Sequence, residues 1–132
     1  MKPTKLLLTI TEGGMILYWV FAASVALGLI YVAPEYMYSD YENPTVVAWN
    51  WSFLPIDVIF AVTGLYGRYG NIRSARQSML STFSLSLMFC AGLMAISFWA
   101  VVGSFDSFWW GMNLWLMLLA SWVLVRNYLI QQ

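Results

Sequence analysis

Trp49-Asn50-Trp51-Ser52-Phe53-Leu54-Pro55-Ile56-Asp57 is the stretch that decides how this chain is read. It sets an amide, a proline and a carboxylic acid inside a run otherwise apolar enough to cross a bilayer. A carboxylate at membrane depth is costly, so it is rare without a partner or a task. Asn50 and Asp57 are seven residues apart, two helical turns, and so share one helix face. Pro55 removes one helix hydrogen bond and leaves the Trp51 carbonyl without its usual donor. A kink between Trp51 and Pro55 is expected.

The surrounding composition sets the class. Of 132 residues, 61% are hydrophobic, 18% aromatic and 9% charged. A soluble domain carries roughly 25% charged residues, so this surface is not built for water. The formal net charge is zero and no basic patch appears, which disfavours a nucleic-acid partner. One cysteine, Cys90, allows no internal disulfide, and the chain has no histidine. Usual zinc sites, His-ligated haem and Ser-His triads are thereby excluded. No metal and no cofactor is expected.

Four spans are predicted, at about 5–33, 44–66, 74–102 and 108–130, within a single domain covering 1–132. Met15 to Ala33 is continuously apolar or weakly polar, and at ~1.5 Å per residue it covers about 28 Å, close to the hydrocarbon thickness. Pro34 directly after Ala33 is a poor cleavage context, so this reads as a retained helix rather than a signal peptide. Ala22/Ala26 and Ser24/Gly28 are small-residue pairs that permit close helix approach. Residues 34–43 form an acidic, Tyr-rich loop, and Asn43-Pro44 reads as the cap and first position of the second span. All six Lys and Arg residues lie at the termini or in the second loop. The other two loops hold Glu35, Asp40, Glu42 and Asp106. Positive charge marks the cytoplasm. The fold expected is therefore an all-α membrane protein, an antiparallel four-helix bundle of the bacterial inner membrane with both termini cytoplasmic.

Helical wheels supply the candidate sites. Asn50, Leu54, Asp57, Ala61 and Gly64 share a face of the second span. Ser74, Ser78, Thr82, Ser86 and Cys90 repeat every four residues on the third span, and Met94 and Ser97 continue that stripe. Asn113, Ala120 and Asn127 repeat on the fourth, and Glu12, Trp19 and Ala26 share a face of the first. Polar faces in lipid are expected to turn inward. Trp49, Asn50, Asp57, Ser97, Trp110 and Asn113 are the candidate ligand-binding residues, forming an outward-facing, Trp-lined pocket. The bland reading is that serines and asparagines glue helices together and that tryptophans form an interfacial belt. Glu12 and Arg126 are expected to form a structural ion pair.

Several segments resemble a known family. They are Trp49-Asn50-Trp51-Ser52-Phe53 with Pro55 and Asp57, Ala95-Ile96-Ser97-Phe98-Trp99, and Gly103, Phe105-Asp106, Trp109-Trp110 and Asn113-Leu114. This pattern is similar to that of the YvaD-like family of small four-span bacterial membrane proteins. The resemblance implies four spans and supplies no activity, because the family has none established. A fainter likeness to small multidrug resistance exporters is opposed by the strong charge bias and the longer first loop.

Three functions compete at this stage. The first is binding or transport of a small lipophilic or cationic ligand, anchored by Asp57. The second is a membrane-embedded enzyme acting on a lipid or isoprenoid-like substrate, with Asp57 as general acid and Asp106 as the more exposed carboxylate. The third is an accessory subunit whose polar face pairs with another membrane protein. Beyond the lipid bilayer, a homo-oligomer or a membrane-protein partner stays open.

Overall fold

The computed structural model describes residues 2–130; Met1, Gln131 and Gln132 lie outside the described residues. The described chain is all-helical: α1 Pro3–Ala26, a 3-10 turn at Pro34–Tyr36, α2 Pro44–Trp51, α3 Leu54–Tyr69, α4 Ser74–Val102 and α5 Ser107–Ile130. With α2 and α3 counted as one broken rod, four helices are long and apolar enough to cross a membrane.

α1 stops at Ala26 rather than continuing to residue 33. Gly28 adopts φ +72°, a left-handed conformation that suits glycine. The Gly28 N–H donates to the Val25 carbonyl and the Leu29 N–H to the Ser24 carbonyl, which is a Schellman ending. Gly28 thus ends the helix instead of packing it, and Leu27, Leu29 and Tyr31 beyond it are exposed. A Cβ at Gly28 would meet nothing within 4 Å, so Gly28→Ala carries only the backbone cost. The expected loss is about 1 kcal/mol, read as a lowered midpoint when the protein unfolds in a detergent titration.

Asn43 caps α2, its side-chain oxygen accepting from the Thr45 N–H at 3.0 Å. The proline break falls at Ser52–Phe53. Here the Phe53 N–H turns to the Asn50 carbonyl, and the Ser52 hydroxyl donates to the Trp49 carbonyl. The break starts a new helix and leaves Asp57 in the first turn of α3. A negative group is favoured there by the helix dipole.

The helices pack in the order α1, α3, α4, α5, and α5 returns to meet α1 at few points. The core joins Phe60 and Ala61 of α3, Leu85, Met88 and Ala91 of α4, and Leu116, Leu119 and Ala120 of α5. α4 turns Ser84, Leu85, Met88, Ala91, Gly92, Ala95 and Trp99 inward. The stripe Ser74, Ser78, Thr82, Ser86, Cys90, Met94 and Ser97 is exposed on the opposite side, so the inward serine face expected from the wheel is corrected. A helical serine can satisfy its own hydroxyl on the preceding turn, as Ser86 does on the Thr82 carbonyl at 2.9 Å. Such a residue is not driven inward. The small residues Ala91, Gly92 and Ala95 are needed inward, where the helices come close.

Candidate functional site

Two polar contacts join α1 and α3, about two helical turns apart on α1 and three on α3. At one, the Trp19 indole N–H donates to Asp57 Oδ2 at 2.9 Å. Asp57 is 5% exposed and its Oδ1 has no hydrogen-bond partner among the described residues. At the other, Arg68 pairs with Glu12, and Glu12 is fully buried. Gly64 makes room for the Glu12 carboxylate, since a Cβ there would collide with it and with Ser84 Oγ. Ser84 in turn donates to the Phe60 carbonyl at 2.7 Å.

The expected Glu12–Arg126 pair is therefore corrected. Arg126 donates to Thr4 Oγ1 at 2.6 Å and lies over the Trp122 ring. α3 runs on to Tyr69, beyond the expected end at residue 66. That extension adds Arg68 to the face of Asp57, Ala61 and Gly64. A basic residue assigned to a loop is in fact the last member of a buried helix face.

Asp57 borders a cavity of about 490 Å³. Its walls are the Trp19, Trp49, Trp99, Trp109 and Trp115 rings, with Tyr18, Phe53 and Phe108. Asn50 and Asn113 add amides. Asn113 spends its N–H on the Trp109 carbonyl at 2.8 Å, leaving its side-chain oxygen for other donors. Asp57 is the only carboxylate among the lining residues, and no Lys or Arg joins them.

Tyr38, from the loop between α1 and α2, closes one end. It is 4% exposed, and its ring packs edge-on against Trp109 and Tyr41. Burial pushes its hydroxyl up to about 12, with Tyr18 and Tyr41 adding to the rise, so it stays protonated. Beyond Tyr38 lies a polar cleft of about 390 Å³ bordered by Glu35, Asp40, Glu42 and Asp106. Asp106 is already engaged as a helix cap, accepting from the Trp109 N–H at 2.9 Å. Asp57 and Asp106 thus border different cavities, which separates the two carboxylates that an acid–carboxylate mechanism would bring to one substrate.

The family model that matches, over residues 4–132, is described as a family of unknown function, DUF5360. The chain belongs to this family. It is also similar to the uncharacterized protein YvaD of Bacillus subtilis (strain 168), 36% identical over 119 residues, which is 89% of this chain and 86% of that protein. No solved structure matches.

In this DUF5360 member, four of the residues singled out from sequence border the cavity: Trp49, Asn50, Asp57 and Asn113. Ser97 and Trp110, also expected there, are not among its lining residues. Ser97 is exposed on the far side of α4. Trp110 spends its indole N–H on the Ser104 carbonyl at 3.2 Å and packs on Phe105, closing the α4–α5 turn. Its neighbour Trp109 takes the cavity wall, because adjacent helical residues point about 100° apart. Sequence reasoning also missed Trp19 as the partner of Asp57. A signal existed: Glu12 and Trp19 are seven residues apart on one helix, as are Gly64 and Asp57 on the other.

Proposed function

We propose that this protein spans the bacterial cytoplasmic membrane as an antiparallel four-helix bundle with both termini inside. Its aromatic cavity then binds, or passes on, a small lipophilic cation. The placement of all six Lys and Arg residues at the termini and second loop supports this orientation. The paired contacts Trp19–Asp57 and Glu12–Arg68 support opposite directions for the first two spans.

One observation carries the ligand class. Asp57, whose buried Oδ1 has no hydrogen-bond partner among the described residues, borders a cavity walled by aromatic rings and lined by no other charged residue. A buried carboxylate needs a proton or a cation to offset its desolvation. Tryptophan faces attract cations too, adding about 0.5–2 kcal/mol when desolvated. A large organic cation satisfies both demands together.

Titration of tetraphenylphosphonium onto the full chain in lipid nanodiscs, followed by tryptophan fluorescence, tests this reading. Asp57→Asn keeps the shape and the indole contact but removes the charge. Its affinity should fall at least about tenfold, or ~1.4 kcal/mol. Equal affinity in the two proteins removes Asp57 as the anchor.

A further inference from the structure

The cavity's opening points sideways. Among its lining residues, the exposed ones are Ile10 and Gly14 of α1 and Phe108, Met112 and Trp115 of α5. Those from α3 and α4, and Tyr38 at the loop end, are buried or partly buried. α1 and α5 touch above and below this opening. The Tyr18 and Trp109 rings meet edge-on at one end, with centroids 5.9 Å apart. The Trp115 indole N–H donates to Thr11 Oγ1 at 3.0 Å at the other. Thr11 and Tyr18 are two turns apart, so the window is about 10 Å tall at 1.5 Å per residue. Gly14 and Met112 stand at its sides. A Cβ at Gly14 would meet nothing within 4 Å, so glycine there leaves the window clear.

We infer that the cavity is loaded from within the bilayer, through the Gly14–Met112 window between α1 and α5, by a membrane-dissolved amphiphilic amine whose head pairs with Asp57 and whose apolar tail lies in the window. This rests on the cation-binding reading above and adds the route and the ligand class. The argument is one of complementarity. The head site offers a single carboxylate, so one positive charge matches it. The lining has no Lys or Arg, so a headgroup carrying a phosphate would bury an unpaired anion at high cost. That removes phospholipids, including those with an amine head. The walls and the window are apolar, which suits a hydrocarbon tail and not a solvated ion. Tyr38, packed on Trp109 and Tyr41, shuts the end toward the loop, where a water-borne ligand would arrive.

Binding of dodecylamine and of ethylamine is measured on the full chain reconstituted in phosphatidylcholine nanodiscs, with tetraphenylphosphonium run beside them. Gly14→Trp and Met112→Trp each fill the window from a different helix. Gly13→Trp is the control, since its side chain also enters open space but outside the cavity lining. Dodecylamine should bind the parent protein, and either filling should slow its association at least tenfold while Gly13→Trp leaves the rate unchanged. Circular dichroism and unfolding midpoints matched to Gly14→Ala show that the filled variants are folded. Association of dodecylamine unaffected by both fillings overturns the lateral route, as does ethylamine competing at equal free concentration. If tetraphenylphosphonium binding still depends on Asp57 in that case, the anchor stands and only the route falls. Dodecylamine binding that is blocked by the fillings yet indifferent to Asp57→Asn overturns the amine assignment.

Discussion

Arg68→Ala is expected to destabilise the folded protein by about 3–5 kcal/mol, the range found when one member of a buried ion pair is removed. Glu12 is fully buried between α1, α3 and α4, and Arg68 is its only charged partner among the described residues. Without the guanidinium, the carboxylate is left among Gly64, Ser84 and apolar side chains, where Coulomb and hydration terms are both lost. The effect should be specific to the leftover charge. Glu12→Gln combined with Arg68→Ala removes both charges and should recover most of the loss, because a buried pair replaced by neutral groups is often close to neutral. Arg68→Lys keeps the charge without the planar fork and should fall between the two. Gly64→Ala attacks the same contact from the other side, by driving a methyl into the space that the Glu12 carboxylate fills. Unfolding midpoints in mixed micelles of rising dodecyl sulfate fraction give the ranking. Arg68→Ala within 1 kcal/mol of the parent, or a double variant no better than the single, would falsify the account of Glu12 as a charge held in place by Arg68.

Much of this fold is readable in the sequence because its strongest signals are local. Four long apolar runs, the Asn43-Pro44 cap and the Pro55 break each follow from residues in contact along the chain. Wheel arithmetic also puts Asp57, Ala61 and Gly64 together, and all three are buried. The failures have a common cause: helices apolar on nearly every side give the wheel little contrast. On α4 the serines recur every four residues and look like a seam, but a hydroxyl bonded to its own helix has no directional demand. The inward face is marked instead by small residues, Ala91, Gly92 and Ala95, whose importance appears only when a second helix approaches. The end of α1 is hidden for a related reason. Leu27, Leu29 and Ile30 keep the stretch apolar on both sides of Gly28, so hydropathy continues where the backbone turns. The choice of Arg68 over Arg126 as partner of Glu12 depends on which helix lies beside α1, which no periodicity reports. Trp19 and Trp109 are not singled out by the sequence because an indole reads equally well as belt or as wall.

Gly92→Ala should destabilise the folded protein. Helix propensity alone argues the other way, favouring alanine over glycine by about 1 kcal/mol. At Gly92, however, a Cβ would sit 2.6 Å from the Asn113 carbonyl oxygen and 2.8 Å from Met117 Cγ. The first of these is backbone and cannot rotate away. α4 and α5 must part by most of an ångström, or one must bend, and either loosens Ala91 and Leu116 in the core. Overpacking of this kind costs about 1–3 kcal/mol, and more where the obstacle is main chain, so the clash exceeds the propensity gain. Gly92→Leu should prevent a stable bundle altogether. Gly111→Ala, on α5, supplies the contrast: its Cβ would meet nothing within 4 Å, so it should stabilise by about 0.5–1 kcal/mol. The consequence reaches the cavity, because Asn113 and Leu116 both border it. Separation of α4 from α5 displaces that wall relative to Asp57. Gly92→Ala should therefore weaken tetraphenylphosphonium binding in protein that is still folded, whereas Gly111→Ala should leave it intact. Parallel gains of stability in the two glycine variants would show that helix propensity, and not the α4–α5 approach, governs both positions.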